Sequence, residues 1–370
     1  MRKFFFLFLP IFFGCSNEVS QNALVFEGDI LLGSQEELDS FTSNGYTRVT
    51  GNLSIRQTAS DSPIQDLTGL ESILEVGNLT ISGNENLGSL EGLHNIRRVD
   101  GYLTIENTPL TNSNLSGLRG LKTVGISFFV ARVDNLLSFS GMESLESVGS
   151  LEILENPSLT SLAGLDVLQS LEMLRILDNP LLESLSGLDN LKEVERRIEL
   201  VDNTSIQNLI ALSNLKSSSN LYFEITTLSS LQDLSGLGGM TYIKDLLIGD
   251  MEMMTSLNGL SNLTRVDNLL LGNNRSLVDL SGLSNLTQIG DAEMTGSIII
   301  GNNPKLVSLK GFENIQSFYG EIIIEDNSIL DNLCDLGSIF ASDGLSSVTI
   351  ERNLFNPSSE DIETGVNCSL

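Results

Sequence analysis

The sequence predicts a mainly β chain folded as a single right-handed parallel β-solenoid of about 13 strands, with about 24 residues per coil, an N-terminal helix cap and a C-terminal cap. Two observations carry this. The pattern N-x-x-[L/I]-x-x-L-x-[GAD]-[L/F] returns from Asn84, Asn156, Asn179, Asn203, Asn274, Asn303 and Asn327. Gly-Leu landmarks at Gly69, Gly92, Gly117, Gly141, Gly164 and Gly187, then Gly236, Gly259 and Gly282, have adjacent spacings of 23 to 25 residues. A period in that range belongs to stacked coils, which offer long flat surfaces and few deep clefts, so binding is favoured over chemistry.

Residues 149–172 illustrate one coil. Gly149-Ser150-Leu151-Glu152-Ile153 alternates with the period of a strand, Asn156 follows a turn, and Leu159, Leu162, Leu165, Leu168 and Leu171 recur every third residue. Equivalent strands lie at 51–55, 77–81, 101–105, 127–130, 150–153, 173–176 and 196–200, then at 220–223, 245–248, 268–271, 297–300, 321–324 and 347–350. Strands so far apart cannot pair as hairpins; they stack in parallel, each coil adding about 4.8 Å to a rod of roughly 60 Å. No coil buries enough apolar surface to fold alone, so neighbours supply the core and both ends need caps. The repeated Asn is read as structural, a buried amide that satisfies backbone groups leaving the sheet and pairs with the Asn above and below. Ligand binding by this row is the alternative.

The chain divides into 1–14, a leader; 15–23, a tether; 24–50, an N-terminal cap; 51–330, the repeat; and 331–370, a C-terminal cap. Arg2-Lys3 followed by apolar Phe4 to Phe13 reads as a secretion signal too short to span a bilayer, which takes roughly 20 residues. Phe12-Phe13-Gly14-Cys15-Ser16 resembles a bacterial lipobox, with Phe12 where Leu is usual. The resemblance implies that Cys15 carries lipid and becomes the first residue of the mature protein; a plain signal peptide or an uncleaved anchor are the alternatives. If Cys15 is lipidated, Cys334 and Cys368 remain as an even pair in an oxidising compartment and are expected to be bonded, closing the C-terminal cap, with two free thiols as the alternative. In the N-terminal cap, Leu24 to Leu32 supplies a possible first strand, and Ser34-Gln35-Glu36-Glu37 opens a short helix through Phe41 with a capping-box pattern.

The formal charge is −28, and loss of Arg2 and Lys3 with the leader would make it −30. Nucleic acid is therefore excluded as a partner. The acidity serves solubility, or else attracts cations or basic partners. The single histidine, His94, leaves little for a Ser-His-Asp triad or a His-rich metal site, and no cofactor is expected.

The L-x-[IL]-x-x-N run with the following L-x-G-L resembles the leucine-rich family, and the longer coil with a V-x-G-x-L-x-I strand start resembles a receptor L domain. Bacterial surface lipoproteins with such repeats share Gly28-Asp29-Ile30-Leu31-Leu32 with Gln35-Glu36-Glu37-Leu38, then Gly45-Tyr46-Thr47, and a terminal Asn332-Leu333-Cys334-Asp335. The resemblance implies a solenoid anchored at the outer membrane and exposed at the cell surface. It implies no hormone or kinase, and the Cys-rich modules of the receptors are missing.

If Leu151 and Ile153 point inward, the residue between them points out, and that outward column changes character along the rod. Ser54, Thr80, Thr104, Phe129, Glu152, Arg175 and Glu199 give way to Tyr222, Leu247, Leu270, Ile299 and Ile323, ending at Thr349. The five apolar members form the candidate partner-binding stripe, flanked by Asn220, Asp245, Asn268 and Glu321, for an extracellular protein or glycan. The coil at Asp291-Ala292-Glu293-Met294-Thr295 is a candidate cover. A non-catalytic surface binding or adhesion lipoprotein is the leading function. A passive spacer lipoprotein is the alternative, and a β-helix polysaccharide-active enzyme comes after it. Glu152, Arg175 and Glu199 form the one catalytic-looking cluster, and on an exposed sheet such alternating charges pair across strands.

Overall fold

A computed structural model describes residues 24–111 and 113–370. Seventeen strand segments form one sheet in about 14 rungs of about 24 residues each, and successive rungs pair in parallel throughout. Each of the thirteen expected strands is present. The additional rung is the front strand, Val25–Phe26 and Ile30–Leu32, which pairs with Arg48–Ile55. The leader at 1–14, the tether at 15–23 and Cys15 lie outside the described residues.

The core is one continuous column. Within the coil at 149–172, Leu151, Ile153, Leu159, Leu162, Leu165 and Leu168 are wholly buried, and their counterparts repeat along the whole rod. The Gly-Leu landmarks have a steric cause. Gly164 has φ of +109°, and a Cβ there would stand 2.1 Å from the Phe139 carbonyl oxygen of the rung before, so only glycine lets adjacent coils approach this closely.

The Asn row holds the turns at the strand ends. Asn156, Asn179 and Asn203 are fully buried. The Asn156 amide N–H donates to Asn179 Oδ1 at 3.1 Å, and that of Asn179 donates to Asn203 Oδ1 at 3.0 Å. Each Nδ2 also reaches back to a strand carbonyl of the preceding rung, as Asn179 does to Ile153 at 3.0 Å. A second run comprises Asn274, Asn303, Asn327 and Asn353, the last outside the sequence pattern. Leu228 and Met251 occupy the equivalent positions between the two runs, and the Asn274 Oδ1 that faces this break has no partner among the described residues.

Both ends carry their expected caps. Helix α1 (Gln35–Thr42) starts at Ser34, whose hydroxyl accepts from the Glu37 amide, and it buries Leu38 and Phe41. Phe41 meets Phe26 and Tyr46 with ring centroids 5.3–5.6 Å apart. At the other end Cys334 and Cys368 are bonded. The tail runs back along the last coil, with Leu333 N donating to Cys368 O at 3.0 Å. Two short helices, α2 (Gly337–Phe340) and α3 (Ser359–Thr364), flank the final strand, Gly344–Glu351.

Candidate functional site: the outward sheet face

Period-two alternation turns every second strand residue outward, and the register between rungs sorts these residues into columns. Leu247, Leu270, Ile299 and Ile323 stand in one column, joined by the pairings Leu247↔Leu270, Leu270↔Ile299 and Ile299↔Ile323. All four are half-buried. Tyr222 does not belong with them. It pairs with Arg197 on one side and Asp245 on the other, in the adjoining outward column, and Glu224 stands beside Leu247 instead. The strand here is Tyr222–Thr226, with Phe223 and Ile225 inward, two residues later than its sequence suggests. Leu221, which looks like an inward strand residue, is buried from the turn before.

Tyr222 closes the charged half of the face. Its ring lies under the Arg197 guanidinium, 4.5 Å from the centroid, and its hydroxyl donates to Glu224 at 2.8 Å. Burial and then the Glu224 carboxylate push its hydroxyl up to about 12, so it is neutral at ordinary pH. Further back, Arg175 bridges Glu199 at 2.5 Å and Glu152 at 2.9 Å, and Arg197 also pairs with Glu199. The three catalytic-looking residues are thus a cross-strand ion ladder, with Glu199 only 6% exposed. Burial works to raise the Glu199 carboxyl, but the bonds from Arg175 and Arg197 outweigh it and hold the group below its ordinary 4.5.

The coil at Asp291-Thr295 folds on itself instead of being bound over the stripe. Asp291 N donates to Met294 O at 2.9 Å, and the Asp291 carboxylate accepts the Glu293 and Met294 amides. It is tied sideways to Arg265 at 2.8 Å, which also holds the buried Asp267 beside the Tyr242 hydroxyl.

Beside the apolar column runs a feature that sequence reasoning missed. Gly249, Gly272 and Gly301 pair in register on the same three rungs as Leu247, Leu270 and Ile299. The same column holds Leu154, Leu177, Val201 and Thr226 on earlier rungs and Glu325 after. None of the three glycines has a positive φ. A Cβ would meet nothing nearer than Leu270 Cδ2 at 3.6 Å on Gly272 and Glu325 O at 3.8 Å on Gly301, while on Gly249 it would lie 3.3 Å from Gly272 O. Neither backbone nor packing therefore demands glycine at 272 or 301, although each costs about 0.5–1 kcal/mol against alanine. Glycine in a strand often marks a close approach by another molecule. The signal was visible in the triplets Ile248-Gly249-Asp250, Leu271-Gly272-Asn273 and Ile300-Gly301-Asn302. Beyond the lane lies a polar cavity of about 570 Å³, lined by Thr227, Asp250, Asn273 and Asn302 with Glu252 and Arg275.

Apolar column, glycine lane and polar cavity all fall within one stretch of the chain. Residues 220–343 match the receptor L domain family. The match covers about a third of the chain, and no curated protein matches it. The receptor L domain is a non-catalytic, receptor-type module, which suits a binding or structural role. No group of three or more His, Cys, Asp or Glu residues among the described ones could hold a metal ion, and no described helix is long and apolar enough to cross a membrane.

Proposed function

We propose that this protein is a non-catalytic binding or adhesion lipoprotein of the cell surface, held at the outer membrane by lipid on Cys15, which presents its sheet face to an extracellular protein or glycan. The observation that carries the reading is the coincidence of Leu247, Leu270 and Ile299 with Gly249, Gly272 and Gly301 on the same rungs. A flat floor without side chains beside an apolar ridge of three or four residues at about 4.8 Å spacing admits a partner's backbone or a sugar ring. Asp250, Asn273 and Asn302 along its far side offer hydrogen bonds to amides or hydroxyls. Tyr222, in the next column, borders this surface.

The test is capture of extracellular proteins and arrayed glycans by the whole protein, beside Leu270→Glu/Ile299→Glu and Gly272→Val. Binding should fall at least tenfold in both variants while thermal unfolding of Gly272→Val stays level or rises, since a strand favours valine over glycine and a Cβ at Gly272 meets nothing nearer than 3.6 Å. Equal capture by all three proteins would remove the face from consideration and favour a passive spacer. Anchoring is checked separately: Cys15→Ser should shift the protein from the detergent phase to the aqueous phase, and no shift would refute lipidation.

A further inference from the structure

The last rung is unfinished in a way that the sheet-face reading does not use. Gly344–Glu351 pairs with Ser317–Glu325 and with no other strand among the described residues. Its inward residues Val348 and Ile350 continue columns whose preceding members, Ile322 and Ile324, are wholly buried, yet both are only half-buried here. Its backbone is open as well. The carbonyls of Ile300 and Ile324, in the column of Ile350, each accept an Asn amide from the following rung, at 3.0 and 2.9 Å. No bond reaches the Ile350 carbonyl among the described residues. After a register shift between Leu345 and Ser347 the strand runs straight to Glu351, with neither Pro nor Lys to guard it.

We infer that Ser347–Glu351 is an acceptor edge that takes one more parallel strand from a partner protein, a basic extended segment with apolar residues at alternate positions. Backbone amides and carbonyls of Val348 and Ile350 supply the hydrogen bonds, and the partner's apolar residues cover these two side chains. Charge selects the occupant. Residues 331–370 contain seven acidic side chains and one basic one, Arg352, which is already held by Glu325, Asp326 and Glu351. A second copy of a chain of net charge −28 is repelled, whereas lysines at alternate positions are attracted.

The test titrates the whole protein with a labelled Lys-Val-Lys-Ile-Lys-Val-Lys peptide, followed by fluorescence anisotropy and by hydrogen exchange. N-methylation of one alternating set of peptide amides blocks one edge; one set should weaken binding roughly tenfold or more and the other should not. The amides of Val348 and Ile350 should become protected when peptide is added. Thr349→Lys, whose side chain faces outward, should weaken this peptide and strengthen its Glu-for-Lys counterpart with unfolding unchanged. Equal binding by both methylated peptides would reduce the effect to charge alone and overturn the proposal. So would amides at 348 and 350 that gain no protection, or that are protected before peptide is added because another part of the chain already covers the edge.

Discussion

Replacing Asn179 by leucine probes what the buried amide row contributes, because the two side chains share one branched shape and the same row tolerates Leu228 and Met251. The Asn179 side chain accepts the Asn156 backbone N–H at 3.1 Å and its Nδ2 at 3.2 Å. It donates to the carbonyls of Ile153 at 3.0 Å and Leu177 at 2.9 Å and to Asn203 Oδ1 at 3.2 Å. Of these partners, Leu177 O keeps a bond from Glu155 N at 2.9 Å, and Asn203 Oδ1 keeps the amide of residue 179 itself. One group loses its only partner in a dry interior, the Asn156 N–H; the Ile153 carbonyl keeps its ladder bond from the Leu177 amide of the neighbouring strand. At roughly 1–3 kcal/mol for a buried orphan, Asn179→Leu should destabilise the protein by about 1–3 kcal/mol. Urea unfolding reads the total, and hydrogen exchange at the Asn156 amide reads the local loss. A change below about 1 kcal/mol, together with unaltered exchange at Asn156, would refute the view that the row acts by satisfying the backbone.

Two further perturbations test the cap and the ion ladder. Cys368→Ser opens a loop of 34-residue separation and should cost roughly 3–4 kcal/mol, the same loss that reductant causes in the wild type; a urea midpoint indifferent to both would refute the cap's role. Glu199 titrates below its ordinary 4.5 in the folded protein, so its contribution is present above the unfolded value and lost as pH falls through the lower folded one. Glu199→Gln should therefore cost on the order of 1–2 kcal/mol at pH 7, allowing for its partly exposed arginine partners, and much less in strong acid. A gap in thermal midpoint that does not change with pH would contradict this.

The architecture was legible because repetition makes a local pattern global. A leucine every third residue, an asparagine at most turns and a glycine beneath most preceding carbonyls recur at one spacing, and only a parallel stack places all of them alike. The cysteine pair was found by arithmetic, and the Ser34 cap by its own local chemistry. The candidate surface was half legible: alternation showed that the face turns apolar at Leu247, but the glycines beside it drew no notice, because an unneeded glycine is recognised only when its φ and its neighbours are known.

What the sequence alone determined is which residues face in and which face out, since a period of two is local to each strand. What the tertiary structure decided is which outward residues stand together, since a slip of two positions keeps the face and changes the column. Tyr222 shows the difference: hydrogen bonding between rungs of unequal length sets it beside Arg197 and Asp245, and puts Glu224 next to Leu247.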